Sequence, residues 1–186
     1  MDNKQRRNDP RRRGRDGRRR RNDPYEEQDE FRDQVINIRR TTKVVKGGKN
    51  LSFSALVAVG DEKGQVGIGR GKAREVPPAI QKAVQDAKKN LIKVPMRETT
   101  IPHFIKGVHG GGEVVLRPAS KGTGVIAGGA VRVIMELAGI KDILTKSIRS
   151  NNPISVANAT MTALKNLKNA AGISKVRNKA EESIWQ

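Results

Sequence analysis

Residues 66–77, Val-Gly-Ile-Gly-Arg-Gly-Lys-Ala-Arg-Glu-Val-Pro, mark the point where the chain changes from strand to helix. The segment Gln65–Ile68 has strand character, and a Gly-rich connection, Gly67–Arg74, follows it. Apolar residues then recur at the three- and four-residue spacing of a helix. They are Val76, Ile80, Ala83, Val84, Ala87 and Leu91. Pro77 and Pro78 suit the first turn, where a missing amide hydrogen costs little. Because Pro95 follows, the helix is predicted to end near Leu91.

Two further strands are predicted upstream of this point. A β-type run extends from Val35 to Val45, and a second occupies Leu51–Val59. In the second run, alternate residues are apolar and predict one buried face: Phe53, Ala55, Val57 and Val59. Turn-forming residues at Lys46–Asn50 and Gly60–Gly64 separate the strands. The resulting order, β-β-β-α over about sixty residues, is small enough for one complete domain.

The second half of the chain predicts the order β-β-α-β-α. Its extended segments are Val94–Ile101, His103–Val108, Glu113–Arg117 and Ile140–Ile148. A Gly-rich connection, Ser120–Gly129, leads into a helix from about Ala130 to Ala138, which Gly139 ends. Asn152 and Pro153 form the start of a last helix. Its apolar face comprises Val156, Thr160, Ala163, Leu164 and Leu167. A basic, mostly polar tail follows Ala170.

The charge of the chain predicts a polyanionic partner. The 186 residues include 38 Lys and Arg against 19 Asp and Glu, a formal charge of +19. Residues 1–22 hold eleven basic and three acidic side chains, whereas residues 23–33 hold one basic and six acidic. Residues 34–186 retain 26 basic and 10 acidic side chains, so most of the excess lies in the part that can fold. A nucleic acid supplies counter-charge over such a surface. The N-terminal block is predicted to be disordered when free, and serves either as a basic arm or as a solubilising tail.

Composition also excludes several classes of site. The chain has no cysteine, and only His103 and His109 offer imidazole ligands, so no metal site, cofactor or catalytic residue is assigned. Aromatic residues make up 3% of the chain, too few for the stacking platforms that bind single strands. Recognition of duplex shape and phosphates is therefore expected. No apolar run of about 18 residues and no signal peptide is present, so no membrane partner is expected.

Three Gly-rich motifs resemble functional loops of other proteins but depart from them in detail. In Gly67–Arg74, Ala73 follows Lys72 where a P-loop has Ser or Thr, and Lys72 occupies the third-glycine position of the dinucleotide fingerprint. His109–Gly112 copies an esterase oxyanion string, but the chain has no G-x-S-x-G nucleophile elbow. Gly107–Gly110 fits the KH loop pattern, yet it lies in β-like sequence. A glycine-mediated approach to RNA phosphates suits the first segment better than nucleotide binding; a plain glycine hairpin is the alternative.

Clustered cations give the candidate RNA-binding residues. Five lie on the first predicted strand and turn without an intervening acid, and we expect them to project together: Arg39, Arg40, Lys43, Lys46 and Lys49. A solvated charged face is the alternative. The complete predicted RNA-binding set is Arg39, Arg40, Lys43, Lys46, Gly47, Gly48, Lys49, Gly69, Arg70, Gly71, Lys72, Arg74 and Lys121.

Several colinear stretches resemble the ribosomal protein S5 family, the fifth protein of the bacterial small subunit. They run from about Phe31 to Leu167 and comprise Lys43–Gly48, Phe53–Val57, Val66–Pro77, Pro118–Gly129, Glu136–Gly139 and Asn152–Ile154. The resemblance implies an α+β fold with two domains. An N-terminal double-stranded-RNA-binding-like β-β-β-α domain would cover residues 31–94, and a C-terminal βαβα two-layer domain residues 95–170. A disordered charged extension, 1–30, and a basic, polar tail, 171–186, would flank them. The Arg-rich start and the last residues, 184–186, are not family features.

The same resemblance implies a cytoplasmic, ribosome-bound structural protein that is not an enzyme. Its partners would be small-subunit ribosomal RNA, the fourth and eighth small-subunit proteins, and mRNA near its entrance to the ribosome. It would contribute to translational accuracy and head–body conformation. Residues Arg40, Thr41, Thr42 and Lys43 match a loop where spectinomycin resistance arises. Gly124 and Arg132 match positions, linked to miscoding, at the interface with the fourth protein.

Two other functions remain open from the residues alone. A free-standing RNA chaperone or regulator of the double-stranded-RNA-binding type would need only the first half of the chain. A phosphate-processing enzyme would use the Gly-rich segment Gly67–Arg74 and would require tight, magnesium-dependent nucleotide binding.

Overall fold

Alternating apolar residues place the second strand at the centre of an antiparallel sheet. The computed structural model describes residues 31–178. The first half contains β1 (Arg32–Val45), β2 (Gly48–Gly60), β3 (Gln65–Ala73), α1 (Val76–Lys89) and β4 (Ile92–Lys93). These strands form a sheet, here called the first sheet, in the order β1-β2-β3-β4. The predicted β-β-β-α order is thus confirmed, with a short fourth strand added at one edge.

Strand β3 continues through the segment predicted to be a Gly-rich loop, so that prediction is wrong. Gly67, Gly69 and Gly71 lie at alternate positions and face α1, as their register with the buried residues of β2 requires. A Cβ atom on Gly69 would overlap the carbonyl oxygen of Ala83, and one on Gly71 would overlap that of Ala79. The helix offers buried alanines, so glycine and alanine permit a close approach of the strand and the helix.

A second antiparallel hairpin begins the other half of the chain. The elements are β5 (Ile105–His109), β6 (Gly112–Pro118), β7 (Val125–Ile126), α2 (Gly129–Leu137), β8 (Ile143–Ser147), α3 (Pro153–Asn166) and α4 (Ala170–Arg177). The second sheet has the order β5-β6-β8-β7, and only β7–β8 is a parallel pair. The predicted strand Val94–Ile101 is wrong, because that segment contributes only an isolated bridge between Arg97 and Thr100. Strand β7 lies inside the predicted connection, and α4 opens the predicted tail.

The local helix signals are confirmed. Asn152 caps α3, and its side chain accepts a hydrogen bond from the amide of Ile154 at 3.4 Å. Prolines occupy the first turn of both α1 and α3. Helix α2 ends at Leu137, immediately before Ala138 and Gly139. The sequence indicates these helix ends because the cap, the prolines and the glycine each act within one turn of the end where they lie.

The two halves meet in the larger of two hydrophobic clusters, which lie on opposite faces of β2. One face of β2 packs on α1 through Ala55, Val57 and Val59. On the opposite face, Leu56 and Ala58 belong to the larger cluster that includes α2, α3 and the second sheet. Backbone hydrogen bonds reinforce the junction, since the amide of Glu62 donates to the carbonyl of Leu137 at 2.9 Å. Strand β2 is therefore buried on both faces along its second half, which fixes the two halves against each other.

The N-terminal extension predicted at residues 1–30 lies outside the described residues. Within residues 31–178, no helix is both long and apolar enough to cross a membrane.

Candidate nucleic-acid interface

The strand register brings cations from two separate motifs onto one face of the first sheet. Arg39 on β1 pairs with Ser54 on β2, and Ser54 pairs with Lys72 on β3. Directly paired residues of a sheet project to the same side, and neighbouring strands lie about 4.8 Å apart. Lys43 and Arg70 follow at positions of the same parity. These four residues, here called the basic face, lie opposite α1, and all four are exposed.

The five cations of the β1–β2 hairpin do not all project together, and the expectation that they would is wrong. Arg39 and Lys43 belong to the basic face, whereas Arg40 pairs with Phe53 and Lys49 pairs with Val44 on the side of α1. Lys46 lies in the turn at the tip. Side chains alternate between the two sides of a strand, so neighbouring cations separate. The hairpin can therefore present positive charge to both sides and at its end.

The cations of the hairpin and β3 are not neutralised by carboxylates of the described part of the chain. No ion pair there engages Arg39, Lys43, Arg70 or Lys72. Asp86 contacts this part of the sheet through the backbone, since its carboxylate accepts a hydrogen bond from the amide of Arg70 at 2.9 Å. Uncompensated, closely spaced cations favour a polyanionic ligand.

The predicted glycines have different local roles. Gly69 and Gly71 are needed for packing against α1, a role that the phosphate-approach hypothesis missed. At the hairpin tip, a Cβ atom on Gly47 or Gly48 would meet no atom within 4 Å, and Gly47 has φ of +91°. Arg74 is exposed just beyond β3. The segment Arg40–Lys43 forms part of β1 rather than a loop, and Thr41 Oγ1 donates to the carbonyl of Ser52 at 3.2 Å.

A buried carboxylate that sequence reasoning missed organises the Gly-rich connection before α2. Asp142 Oδ1 accepts hydrogen bonds from the amides of Gly122 at 3.0 Å and Gly124 at 2.9 Å. A hydrogen bond from the Thr99 side chain, together with those from the loop amides, lowers the pKa of Asp142 below its usual range, although burial opposes the shift. Lys121 is exposed in this loop, and Arg132 is exposed on α2. The loop therefore has a fixed conformation set by a residue about twenty positions away.

The His-Gly-Gly-Gly segment forms a tight hairpin turn between β5 and β6. His109 pairs with Gly112 across it and is exposed. The following Glu113 is buried and bonds Lys106 at 2.7 Å and Arg149 at 3.1 Å. The hydrogen bond from Lys106 lowers the pKa of Glu113, against the opposing effect of burial. This acid is thus part of a structural ion-pair cluster rather than a general base.

The other histidine has a structural role. His103 Nε2 accepts a hydrogen bond from the amide of Lys168 at 3.1 Å, and Nδ1 lies 2.8 Å from the carbonyl oxygen of Phe104. The two contacts fit a neutral ring protonated at Nδ1. Within residues 31–178, no group of three or more His, Cys, Asp or Glu residues is arranged to hold a metal ion.

The outer face of the second sheet combines apolar and basic side chains, and the sequence did not single it out. Val115 pairs with Lys146, and Arg117 pairs with Leu144, so all four project away from the core. The Arg117 guanidinium lies 5.5 Å from the centre of the Phe104 ring, in a cation–π contact. Phe104 and Leu144 are 53% and 39% exposed, so this side of the sheet presents apolar as well as basic groups to solvent.

Fold and surface together define an α+β protein with exposed cations grouped on one face of its first sheet. Comparison with protein families identifies the family to which this fold belongs. Residues 31–95 match the family described as Ribosomal protein S5, N-terminal domain, and residues 107–177 match Ribosomal protein S5, C-terminal domain. The chain belongs to the ribosomal protein S5 family. It is a non-enzymatic structural constituent of the small ribosomal subunit that binds ribosomal RNA and ribosomal proteins. The family implies a ribosome-bound location in the cytoplasm.

Proposed function

We propose that the chain binds folded ribosomal RNA through the basic face and the tip of the β1–β2 hairpin, and holds neighbouring proteins in register. The observation that carries this proposal is the row Arg39–Ser54–Lys72, which joins two distant cationic motifs on one open sheet face. Phosphate contacts of this kind fix position without reading sequence. Lys121, Arg74 and the other exposed cations of the predicted set extend the contact to other parts of the RNA.

The protein contacts proposed here are with the fourth and eighth small-subunit proteins. The loop held by Asp142 carries Gly124, and α2 carries Arg132; we assign both to the interface with the fourth protein because of the family resemblance. The outer face of the second sheet offers apolar and basic side chains suited to a further neighbour. Through these contacts the protein contributes to translational accuracy, head–body conformation and the region near the mRNA entrance. Substitutions in Arg40–Lys43 are proposed to alter sensitivity to spectinomycin.

The two family domains divide this work. Residues 31–94 provide the basic face, and residues 95–170 provide the Asp142 loop and the second sheet. A free-standing RNA chaperone would not need the second set of surfaces. Sedimentation separates the two functions, because a ribosomal constituent should remain with small subunits after a moderate salt wash, whereas a chaperone should be released.

The electrostatic part of the proposal is tested by measuring the dissociation constant for small-subunit RNA fragments against salt concentration. Six to ten phosphate contacts would reduce affinity by about 10³- to 10⁵-fold between 50 and 200 mM salt. A flat log–log plot would contradict phosphate binding by the basic face. Lys72→Glu should reduce the slope, and Lys175→Glu, an equal charge change on α4, provides the matched control.

A further inference from the structure

A cleft lies where the basic face meets α3. Its volume is about 260 Å³, and its walls come from β2, β3, α1, α3 and the β5–β6 turn. Arg70 lines one side, while Asn158 and Lys165 line the other. Leu56 and Met161, both largely buried in the core, form part of its apolar lining. The site is therefore built from both halves of the chain, and it exists only when they pack together.

Three of the lining side chains have unused hydrogen-bonding capacity. Within residues 31–178, no hydrogen bond or ion pair engages the guanidinium of Arg70, the ammonium of Lys165 or the side-chain amide of Asn158. The one lining carboxylate, Asp86, already accepts a hydrogen bond from the Arg70 amide. The cleft is thus a net cationic site. The Asn158 amide can both donate and accept hydrogen bonds there, whereas the Asn90 amide already donates to the carbonyl of Asp86.

These groups match the parts of one unpaired nucleotide. Arg and Lys bind phosphate, an Asn amide can pair with the edge of a base, and apolar side chains contact the base plane. The volume is below the range typical of pockets for drug-sized ligands, and it is far too small for a duplex. Arg70 belongs to both the basic face and the cleft, so a phosphate backbone lying on the basic face leads directly to it.

We propose that the cleft receives a single unpaired nucleotide of the RNA bound on the basic face. The duplex binds through phosphates, and the extruded nucleotide places its base against Leu56 and Met161, with its edge on Asn158. Lys165 contacts the adjacent phosphate. This proposal rests on the proposed RNA binding and adds a site of structural specificity to a surface that otherwise reads only charge and shape.

The test uses the full chain and two RNA probes, a perfect 20-base-pair duplex and the same duplex with one bulged nucleotide, made with each of the four bases. Wild-type protein should bind at least one bulged RNA about fivefold or more tightly than the perfect duplex, the lower limit for one bidentate amide–base contact. Asn158→Ala should remove this preference and leave affinity for the perfect duplex unchanged. Lys72→Ala should weaken both RNAs by the same factor.

The controls separate this proposal from the general RNA-binding function. Asn158→Asp keeps the shape of the side chain but removes its donors, and it should lose the preference with an unchanged melting temperature. Equal wild-type affinity for the perfect and all bulged duplexes would overturn the cleft proposal alone. Failure to bind either RNA would instead contradict the proposed function. Tight binding of free AMP that Asn158→Ala abolishes, without any preference for a bulge, would assign the cleft to a free nucleotide and refute an RNA source.

Discussion

Two segments rich in glycine and basic residues, Lys46–Lys49 and Gly67–Lys72, look alike in sequence but occupy opposite environments. The first forms the exposed tip of a hairpin, where added side chains would find open space. The second is a strand whose glycines are buried beneath α1 and whose cations point to the other side. Glycine therefore serves turn formation in one segment and helix packing in the other. The cations of the two segments, by contrast, can bind the same ligand.

The largest difference in stability is expected when one glycine of each segment is replaced by alanine. Gly69→Ala places a Cβ against the backbone of Ala83 and Ala87, so overpacking should destabilise the protein by about 1–3 kcal/mol or more. Gly48→Ala has no neighbour within 4 Å and should change the free energy of unfolding by less than about 0.5 kcal/mol. Urea unfolding of the full chain measures both. Equal losses would show that the two segments have the same structural role.

Charge reversal tests whether the two segments nevertheless share a ligand. Lys46→Glu and Lys72→Glu should each weaken RNA binding and reduce the salt slope by at least about one, because each is expected to lose a phosphate contact. Both side chains are exposed, so thermal stability should change little. Binding titrations and thermal melts of the same preparations provide the comparison. A loss of stability as large as that of Gly69→Ala would make Lys72 a structural residue.

The contrast between the two segments also shows where sequence reasoning succeeds. The hairpin turn, the Asn152 cap and the proline-started helices rest on interactions within a few residues, so local patterns predicted them. The extension of β3 depends on a helix that follows it and approaches within atomic contact. The alternation of Gly67, Gly69 and Gly71 was a usable signal, since period two indicates a strand with one small-residue face. Glycine is also common in loops, and the prediction of a loop followed that association instead of the period of two.

The candidate site was predictable in its composition but not in its arrangement. The exposed cations were identified individually, yet only the register shows that Arg39 and Lys72 share a row. Asp142 was missed because its partners, Gly122 and Gly124, are distant in sequence and bond it through backbone amides. A long-range partner of this kind leaves no periodic pattern.

The Gly-rich loop containing Lys121 and Gly124 is a third glycine-rich segment with a basic residue, and it differs from both the hairpin tip and β3. Gly124 has φ of +78°, and no atom lies within 4 Å of the position that a Cβ would occupy, so a side chain there is strained but does not collide. Gly124→Arg should therefore combine loop strain with a bulky cation facing the proposed fourth-protein interface. Gly124→Ala carries the same strain without the bulk. Reporter misreading should change more for arginine than for alanine; unchanged misreading in both would refute the interface assignment.

The smallest effect on stability is expected from replacing Asp142, the carboxylate that holds this third loop. The folded-state pKa of Asp142 is lowered, so its contribution to stability is present above the ordinary value near 3.8 and is lost as pH falls through the folded value. Asp142→Asn removes that contribution at neutral pH. The stability difference between wild type and Asp142→Asn in urea unfolding should therefore shrink as the pH is lowered from neutral towards 3. Faster hydrogen exchange at the Gly122 and Gly124 amides of the variant should accompany it, because these amides lose their charged acceptor. A stability difference that is independent of pH would mean that the shape of the Asp142 side chain, rather than its charge, holds the loop. The loop would then depend on packing, as the glycines of β3 do, and not be free of contacts like the hairpin tip.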